Sequence, residues 1–381
     1  MFLLISIGAA VTAAYDPSSL YKLLITVVMG MALFLIMSGI LRDLHTSIQA
    51  RWPVALAAGA LLAFNVVLGE RIFGAKNWIS IGPLSFQPSE LVKIAFILAG
   101  AATLDRLFAK RNLIFTILFS AYCVGCLALM SDFGTALIFF VAFLCIAFLR
   151  TGDLPSIAMM VAAAAFGCGI ILRFKPYIAD RFSAWLHVWD HAQDIGYQQT
   201  RTMSAMASGG LFGAGADKSW LKYIGAANTD LVFGVVGEEF GFLLALCCVA
   251  SLMLPITFTL RCAATARSSF YTILSCATAA MLVCQMALNV LGAVDLLPLT
   301  GVTFPFVSMG GSSMISCWGL MAYLKAADTR QNASFALRLS KLAPDQKKRP
   351  SPPVKPARQE GFFADRPDIP VDEIFGKEEQ K

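Results

Sequence analysis

The residues that could do chemistry here are ionisable side chains at the edges of, or inside, apolar runs. Asp230 closes the stretch Asn228-Thr229-Asp230 and abuts Leu231-Val232-Phe233. A carboxylate with water on one side and apolar surface on the other is partly desolvated, which raises its pKa and makes it a better base. The same position suits an N-cap for the helix that follows. Both readings stand on spacing alone.

Glu90 and Lys93 occur in Gln87-Pro88-Ser89-Glu90-Leu91-Val92-Lys93, at the start of another apolar run. Pro88 fits the first turn of a helix, where its missing N–H costs nothing. Residues at i and i+3 share a helix face, so the two charges can neutralise each other. Each would otherwise cost at least about 2.5–3.5 kcal/mol in hydrocarbon. The pair is either a structural ion pair or the wall of a polar cavity that meets a charged substrate. Asp132, in Ser131-Asp132-Phe133-Gly134-Thr135, is expected to cap the next helix from a tight turn. Glu238 and Glu239 lie within an apolar run, so at least one must face protein or water. Gln285 and Asn289, at i and i+4, can hydrogen-bond across helices.

His187 and His191 are also spaced i, i+4, with Asp190 and Asp194 beside them. No third ligand follows at a set spacing, and an interfacial helix with Trp185 and Trp189 at headgroup level accounts for them without a metal. Metal ligands are therefore assigned to none of these residues. The ten cysteines sit in or beside apolar runs, and the Cys123/Cys126 pair has no second pair to complete a metal site. They read as small buried hydrophobes.

The elements that must position these residues are membrane helices. The chain is 57% hydrophobic and 14% charged, against about 25% charged in soluble domains. Its apolar residues come in runs of spanning length. The expected fold is an all-α integral membrane protein of about ten transmembrane helices. The spans fall near 2–14, 20–41, 52–70, 89–105, 113–130, 134–150, 154–174, 232–258, 270–293 and 304–325. Phe2–Ala14 lacks a basic n-region and is followed by more spans, so it reads as a short first span rather than a secretory signal.

One set of short loops holds Arg42, Arg51, Arg106, Lys110, Arg111, Arg150, Arg261 and Arg267, and the opposite set holds Arg71 and Lys76. The first set is cytoplasmic by the positive-inside rule. Both termini then lie inside and a large loop, 175–231 between spans 7 and 8, lies outside. Two domains result: a polytopic domain over 1–328 and a tail over 329–381. The tail carries Lys347-Lys348-Arg349, four prolines from Pro350 to Pro356, and mixed charge. It has too few apolar residues to offset ordering entropy, so a disordered cytoplasmic tail is expected. The net charge of +6 comes with no basic, aromatic-interleaved patch, and no nucleic-acid partner is expected.

The loop contains Gly196-Tyr197-Gln198 and then glycines at 209, 210, 213 and 215. Loops of such length between helices are usually functional, and their glycines permit close backbone approach to a ligand. Near the last span, Leu297-Pro298 through Phe304-Pro305 to Gly310-Gly311-Ser312-Ser313 signals a broken helix. Irregular backbone at membrane depth is tolerated where it lines a cavity or is buried in protein.

Four blocks in this order resemble the SEDS family, the FtsW/RodA/SpoVE proteins. They run from Asn77-Trp78-Ile79 to Lys93; over Asp132-Phe133-Gly134-Thr135-Ala136; from Gly196-Tyr197-Gln198 to Thr229-Asp230 and Gly237-Glu238-Glu239; and from Leu297-Pro298 to Ser313. The resemblance implies a hexosyltransferase, a peptidoglycan glycosyltransferase that polymerises lipid II into glycan strands on the outer face of the bacterial cytoplasmic membrane. It implies that Asp230 is the catalytic residue, a general base toward the acceptor hydroxyl as undecaprenyl pyrophosphate leaves. It places Glu90 and Lys93 in the substrate cavity, with Trp78, Gln198, Ser308, Gly310, Gly311 and Ser312 as further lining. A divalent cation, Mg or Mn, would help neutralise the pyrophosphate, although nothing in the sequence specifies its ligands. The implied partners are a class B penicillin-binding protein transpeptidase and other divisome or elongasome membrane proteins.

Asn228, Met309 and Ser131 stand where the family often has His, Tyr and Pro. None of the three departures touches Asp230, Glu90 or Lys93, and they leave division, elongation and sporulation open. Two other functions compete: a lipid II flippase, and a non-catalytic scaffold that activates a partner synthase. A flippase needs a polar route through the bilayer rather than a base at one surface. A scaffold has no reason to keep a charged cavity.

Overall fold

The computed structural model describes residues 1–72, 75–81, 84–104, 110–174, 182–263 and 268–327. The chain divides into two units, Met1–Gln331 and Asn332–Lys381. The predicted tail 329–381 and loop residues 175–181 lie outside the described residues.

The first unit is a helical membrane bundle. Its helices are α1 (Phe2–Tyr15), α2 (Leu20–Ile40), α3 (Leu44–Gln49), α4 (Arg51–Leu68), α5 (Pro88–Leu104), α6 (Lys110–Leu129), α7 (Phe133–Thr151) and α8 (Leu154–Phe174). Within the large loop lies α9 (Tyr197–Gly209), and after it come α10 (Val232–Glu239), α11 (Gly241–Ala263), α12 (Ser269–Ala293) and α13 (Gly311–Ala326). Among the described residues, five helical stretches are long and apolar enough to cross a membrane: Pro17–Ile40, Arg51–Leu68, Phe133–Thr151, Gly241–Ala263 and Ser269–Ala293. Phe2–Tyr15, Leu113–Leu129 and Leu154–Gly169 are shorter apolar helices. Leu24, Val28, Leu35, Leu56, Val67 and Leu254 are exposed, as lipid-facing side chains must be.

The centre of the bundle is α5, which packs against α4, α12 and α13, while α13 also packs against α2, and α12 against α7. Their shared core is built from Phe96, Ile97, Phe139, Leu282, Trp318 and Tyr323. The Tyr323 hydroxyl donates to the Ile94 carbonyl at 2.8 Å and so ties α13 to α5.

Two predicted spans are not continuous. The run 232–258 breaks between α10 and α11, where Gly241 takes φ +87°. The run 304–325 becomes helical only at Gly311, and 303–310 is irregular. Hydropathy carries straight through both breaks, because apolarity is set by the surroundings and not by the backbone path.

A small antiparallel sheet was also absent from the expected fold. Strands β1 (Glu70–Ile72), β2 (Ala75–Ile81) and β3 (Leu84–Phe86) pair in the order β1-β2-β3 between α4 and α5. Trp78 sits opposite Glu70 on β2. The Lys76 ammonium donates to the Val66 and Val67 carbonyls at 2.9 and 3.0 Å, so it satisfies the C-terminal end of α4.

Candidate functional site

The Glu90–Lys93 pair forms as its spacing predicts, with Nζ to Oε1 at 2.7 Å. Both residues are buried, Lys93 at 0% and Glu90 at 4% exposure. Lys93 also donates to Gln285 Oε1 at 3.0 Å. The Gln285 amide in turn donates to the Thr303 carbonyl (3.1 Å) and lies 3.2 Å from its hydroxyl, and that hydroxyl bonds Ser313 Oγ at 2.8 Å. A chain of polar groups thus runs from α5 through α12 to the broken segment before α13. Glu90 Oε2 is buried with no hydrogen-bond partner among the described residues. A buried carboxylate oxygen left in this state requires an explanation.

One turn further along α12, Asn289 repeats the pattern. Its amide donates to the Val302 carbonyl at 2.7 Å and to the Asp230 carbonyl at 2.9 Å. Asp230 is half-buried. Helix α10 has Leu231 at its N-cap position, so Asp230 stands one residue outside the helix it was expected to cap. Gly301 lies beside the carboxylate: a Cβ added there would be 3.2 Å from Asp230 Oδ2. Ser308 joins the same corner. Its hydroxyl donates to the Thr229 carbonyl at 2.6 Å and accepts the Phe304 N–H at 2.8 Å. The Met309 N–H reaches the Asn228 carbonyl at 2.9 Å. The end of the loop and the irregular stretch 300–310 are therefore knitted together around Asp230.

The other predicted residues divide. Ser312 Oγ accepts the Gln87 N–H at 3.0 Å, beside the start of α5. Gly310 and Gly311 form the turn into α13. Trp78 is half-buried on β2, linked to this region through its neighbour. The Asn77 amide donates to Asp132 Oδ2 at 2.8 Å, and Gln87 Nε2 reaches the same oxygen at 3.0 Å. Asp132 also caps α7 as predicted, accepting the Thr135 N–H at 3.2 Å. Gln198, on α9, donates to the Gly225 carbonyl at 3.0 Å, just upstream of the Asp230 turn.

His187 and His191 lie on consecutive turns rather than a helix, which removes the shared face that an i, i+4 pair needs. Among the described residues there is no group of three or more His, Cys, Asp or Glu side chains that could hold a metal.

Glu238 and Glu239 also separate. The Glu238 carboxylate accepts the Ser219 hydroxyl at 2.5 Å and the Trp220 and Leu221 N–H groups at 3.1 and 3.3 Å, so it anchors the loop. Glu239 ends α10, before the long apolar helix. Both of its carboxylate oxygens are buried with no hydrogen-bond partner among the described residues. Gln285 and Asn289 are the residues whose role at the site spacing did not disclose. Their i, i+4 relation on an apolar helix was the available signal.

The fold and site define a multi-pass helical membrane protein whose interior carries a polar, charge-bearing network ending at a half-buried aspartate. The chain belongs to the FtsW/RodA/SpoVE family of cell cycle proteins, whose family model matches residues 2–333. It is 29% identical to a probable peptidoglycan glycosyltransferase FtsW of Geobacter sp. strain M18, over 83% of this chain and 87% of the relative. It is 34% identical to the corresponding protein of Tolumonas auensis, over 73% and 75% of the two chains. The peptidoglycan glycosyltransferase RodA of Mycobacterium leprae is 29% identical, over 82% and 70%. Among solved structures, a chain of a peptidoglycan synthase complex that coordinates polymerization and crosslinking superposes with TM-score 0.70 at 26% identity, over 87% of this chain and 96% of that one. The Thermus thermophilus rod shape determining protein RodA shares the fold, with TM-score 0.64 at 24% identity, over 87% and 95%.

Proposed function

We infer that the chain is a peptidoglycan glycosyltransferase that polymerises lipid II at the outer face of the cytoplasmic membrane, with Asp230 as its general base. The observation that carries the reading is the setting of Asp230. It is half-buried where the large loop meets the broken segment, its backbone is fixed from α12, and Gly301 leaves its carboxylate room. The names of its relatives supply the reaction class.

The acceptor sugar's hydroxyl oxygen attacks the anomeric carbon of the donor. The bond from that carbon to the phosphate oxygen breaks, and undecaprenyl pyrophosphate departs with the bonding electrons. Asp230 takes the hydroxyl proton as the new glycosidic bond forms. Positioned proton transfer of this kind contributes about 10²–10⁴-fold in rate. Glu90, Lys93, Trp78, Gln198, Ser308, Gly310, Gly311 and Ser312 belong to the proposed substrate surround. The Glu90–Lys93 pair is closed off, so contact with a charged substrate requires it to open. Mg or Mn would supply charge neutralisation at the pyrophosphate. Among the described residues no group of three or more His, Cys, Asp or Glu side chains would hold it.

A class B penicillin-binding protein is the proposed partner, supported by the synthase complex whose chain shares this fold. The proposed topology has both termini in the cytoplasm and loop 175–231 outside. FtsW relatives match at 29–34% identity and a RodA relative at 29%, and one family model spans FtsW, RodA and SpoVE, so the reading covers division, elongation and sporulation alike. Purified chain with its partner and labelled lipid II tests it: wild type makes glycan strands and Asp230→Ala makes none. Persistent polymerisation by Asp230→Ala overturns the mechanism and favours flipping or scaffolding.

A further inference from the structure

We propose that Asn289 is a positioning residue for the glycosyl transfer, setting where the Asp230 carboxylate stands. The inference rests on the function proposed above. Asn289 is 2% exposed and sits inside α12, where a primary amide needs a reason to be. Its one NH₂ group has two protons, and each goes to a different main chain. One meets the carbonyl of Asp230 itself, and the other meets the carbonyl of Val302. Val302 directly follows Gly301, the residue beside the Asp230 carboxylate. A single side chain therefore joins the two backbone segments whose separation places that carboxylate.

Neither segment is held by regular secondary structure at this point. Asp230 lies in the turn that ends at Leu231, before α10 begins, and 297–310 is irregular. Gly301 has φ +71°, a left-handed conformation that a side chain strains. Helix α12 is the rigid element here, with 25 residues. Building a reactive group onto a rigid element through a buried amide is how a site on loops gains precision. The neighbouring Gln285 makes the parallel contact to Thr303, so α12 holds the broken segment at two successive points.

A purely structural role would also leave Asn289 buried and bonded. The two roles differ in what a folded variant does. Asn289→Leu keeps nearly the same volume and removes both donations. Gly301→Ala keeps Asn289 and instead puts a methyl 3.2 Å from Asp230 Oδ2. Misplacement of a reacting group by about 1 Å costs up to about 10²-fold in rate. The full-length chain with its partner, in detergent or nanodiscs, is assayed with labelled lipid II. Wild type, Asn289→Leu, Gly301→Ala and Asp230→Asn are compared for kcat, KM and thermal midpoint.

Both test variants are expected to bind lipid II with KM within about 3-fold of wild type and to lose about 10–100-fold in kcat. Their thermal midpoints should not predict the size of the kcat loss. Wild-type kcat in folded Asn289→Leu overturns the inference, as does a loss that only follows the unfolded fraction. If Asn289→Leu does not fold, Asn289→Ala, which also removes both donations, is assayed in its place and decides by the same criteria. Asp230→Asn separates the two claims. If it polymerises normally the proposed mechanism has failed, whereas if it is dead and Asn289→Leu is fully active only the positioning role has failed.

Discussion

Removing Lys93 alone would strand the Glu90 carboxylate inside the bundle. Breaking a buried pair from one side costs about 3–5 kcal/mol, while replacing both partners by uncharged groups is often near neutral. Lys93→Met is therefore expected to lower the thermal midpoint of the purified protein sharply, and Glu90→Gln/Lys93→Met to recover most of that loss. Equal midpoints for the single and double variants would mean that the pair adds nothing. A folded but inactive double variant would support contact between the pair and a charged substrate. The i, i+3 ion pair and the Asp132 cap were legible in the sequence because both partners are near neighbours. Gln285 could not be matched to Lys93, 192 positions away, by any local pattern.

The break between α10 and α11 shows why element boundaries were harder to read. A helix end exposes unpaired N–H and C=O groups, which cannot stay unpaired in an apolar setting. The glycine-rich stretch of the loop supplies their partners: Ala214 and Gly215 donate to the Glu238 and Glu239 carbonyls at 2.8 and 3.0 Å, and Phe242 and Leu243 donate to Gly210 and Leu211 at 2.9 and 3.3 Å. The glycines were read as room for a ligand, yet several are room for this backbone. A Cβ at Gly241 would lie 2.3 Å from the Leu211 carbonyl oxygen. Gly241→Ala should destabilise by about 1–3 kcal/mol or more and speed protease cleavage within 209–223. Unchanged cleavage would mean that the loop does not depend on the break. The broken segment 297–310 was legible, because its prolines and paired glycines act locally. The break at 240–241 was not, because the partners that permit it come from another part of the chain. The β1–β3 sheet escaped for a local reason: β1 and β3 are three residues each, too short to show a period, and the seven residues of β2 carry Lys76 and Asn77 side by side, which breaks the alternation.

For the whole molecule, composition and the length of the apolar runs identified a membrane bundle, and the order of four motif blocks identified the family. Orientation rests on loop charge and is open to a direct check. In a cysteine-free background, Asp190→Cys should react with a membrane-impermeant maleimide in intact spheroplasts, and Asp153→Cys only after permeabilisation. The reverse pattern would invert the topology and put Asp230 on the wrong side for lipid II polymerisation. The central claim is that Asp230 moves a proton during glycosyl transfer, and single-turnover reaction of pre-bound labelled lipid II by Asp230→Asn tests it most directly. The account predicts retained binding and a chemical step slowed at least about 10²-fold. Retained binding with a chemical step within a few-fold of wild type would contradict it.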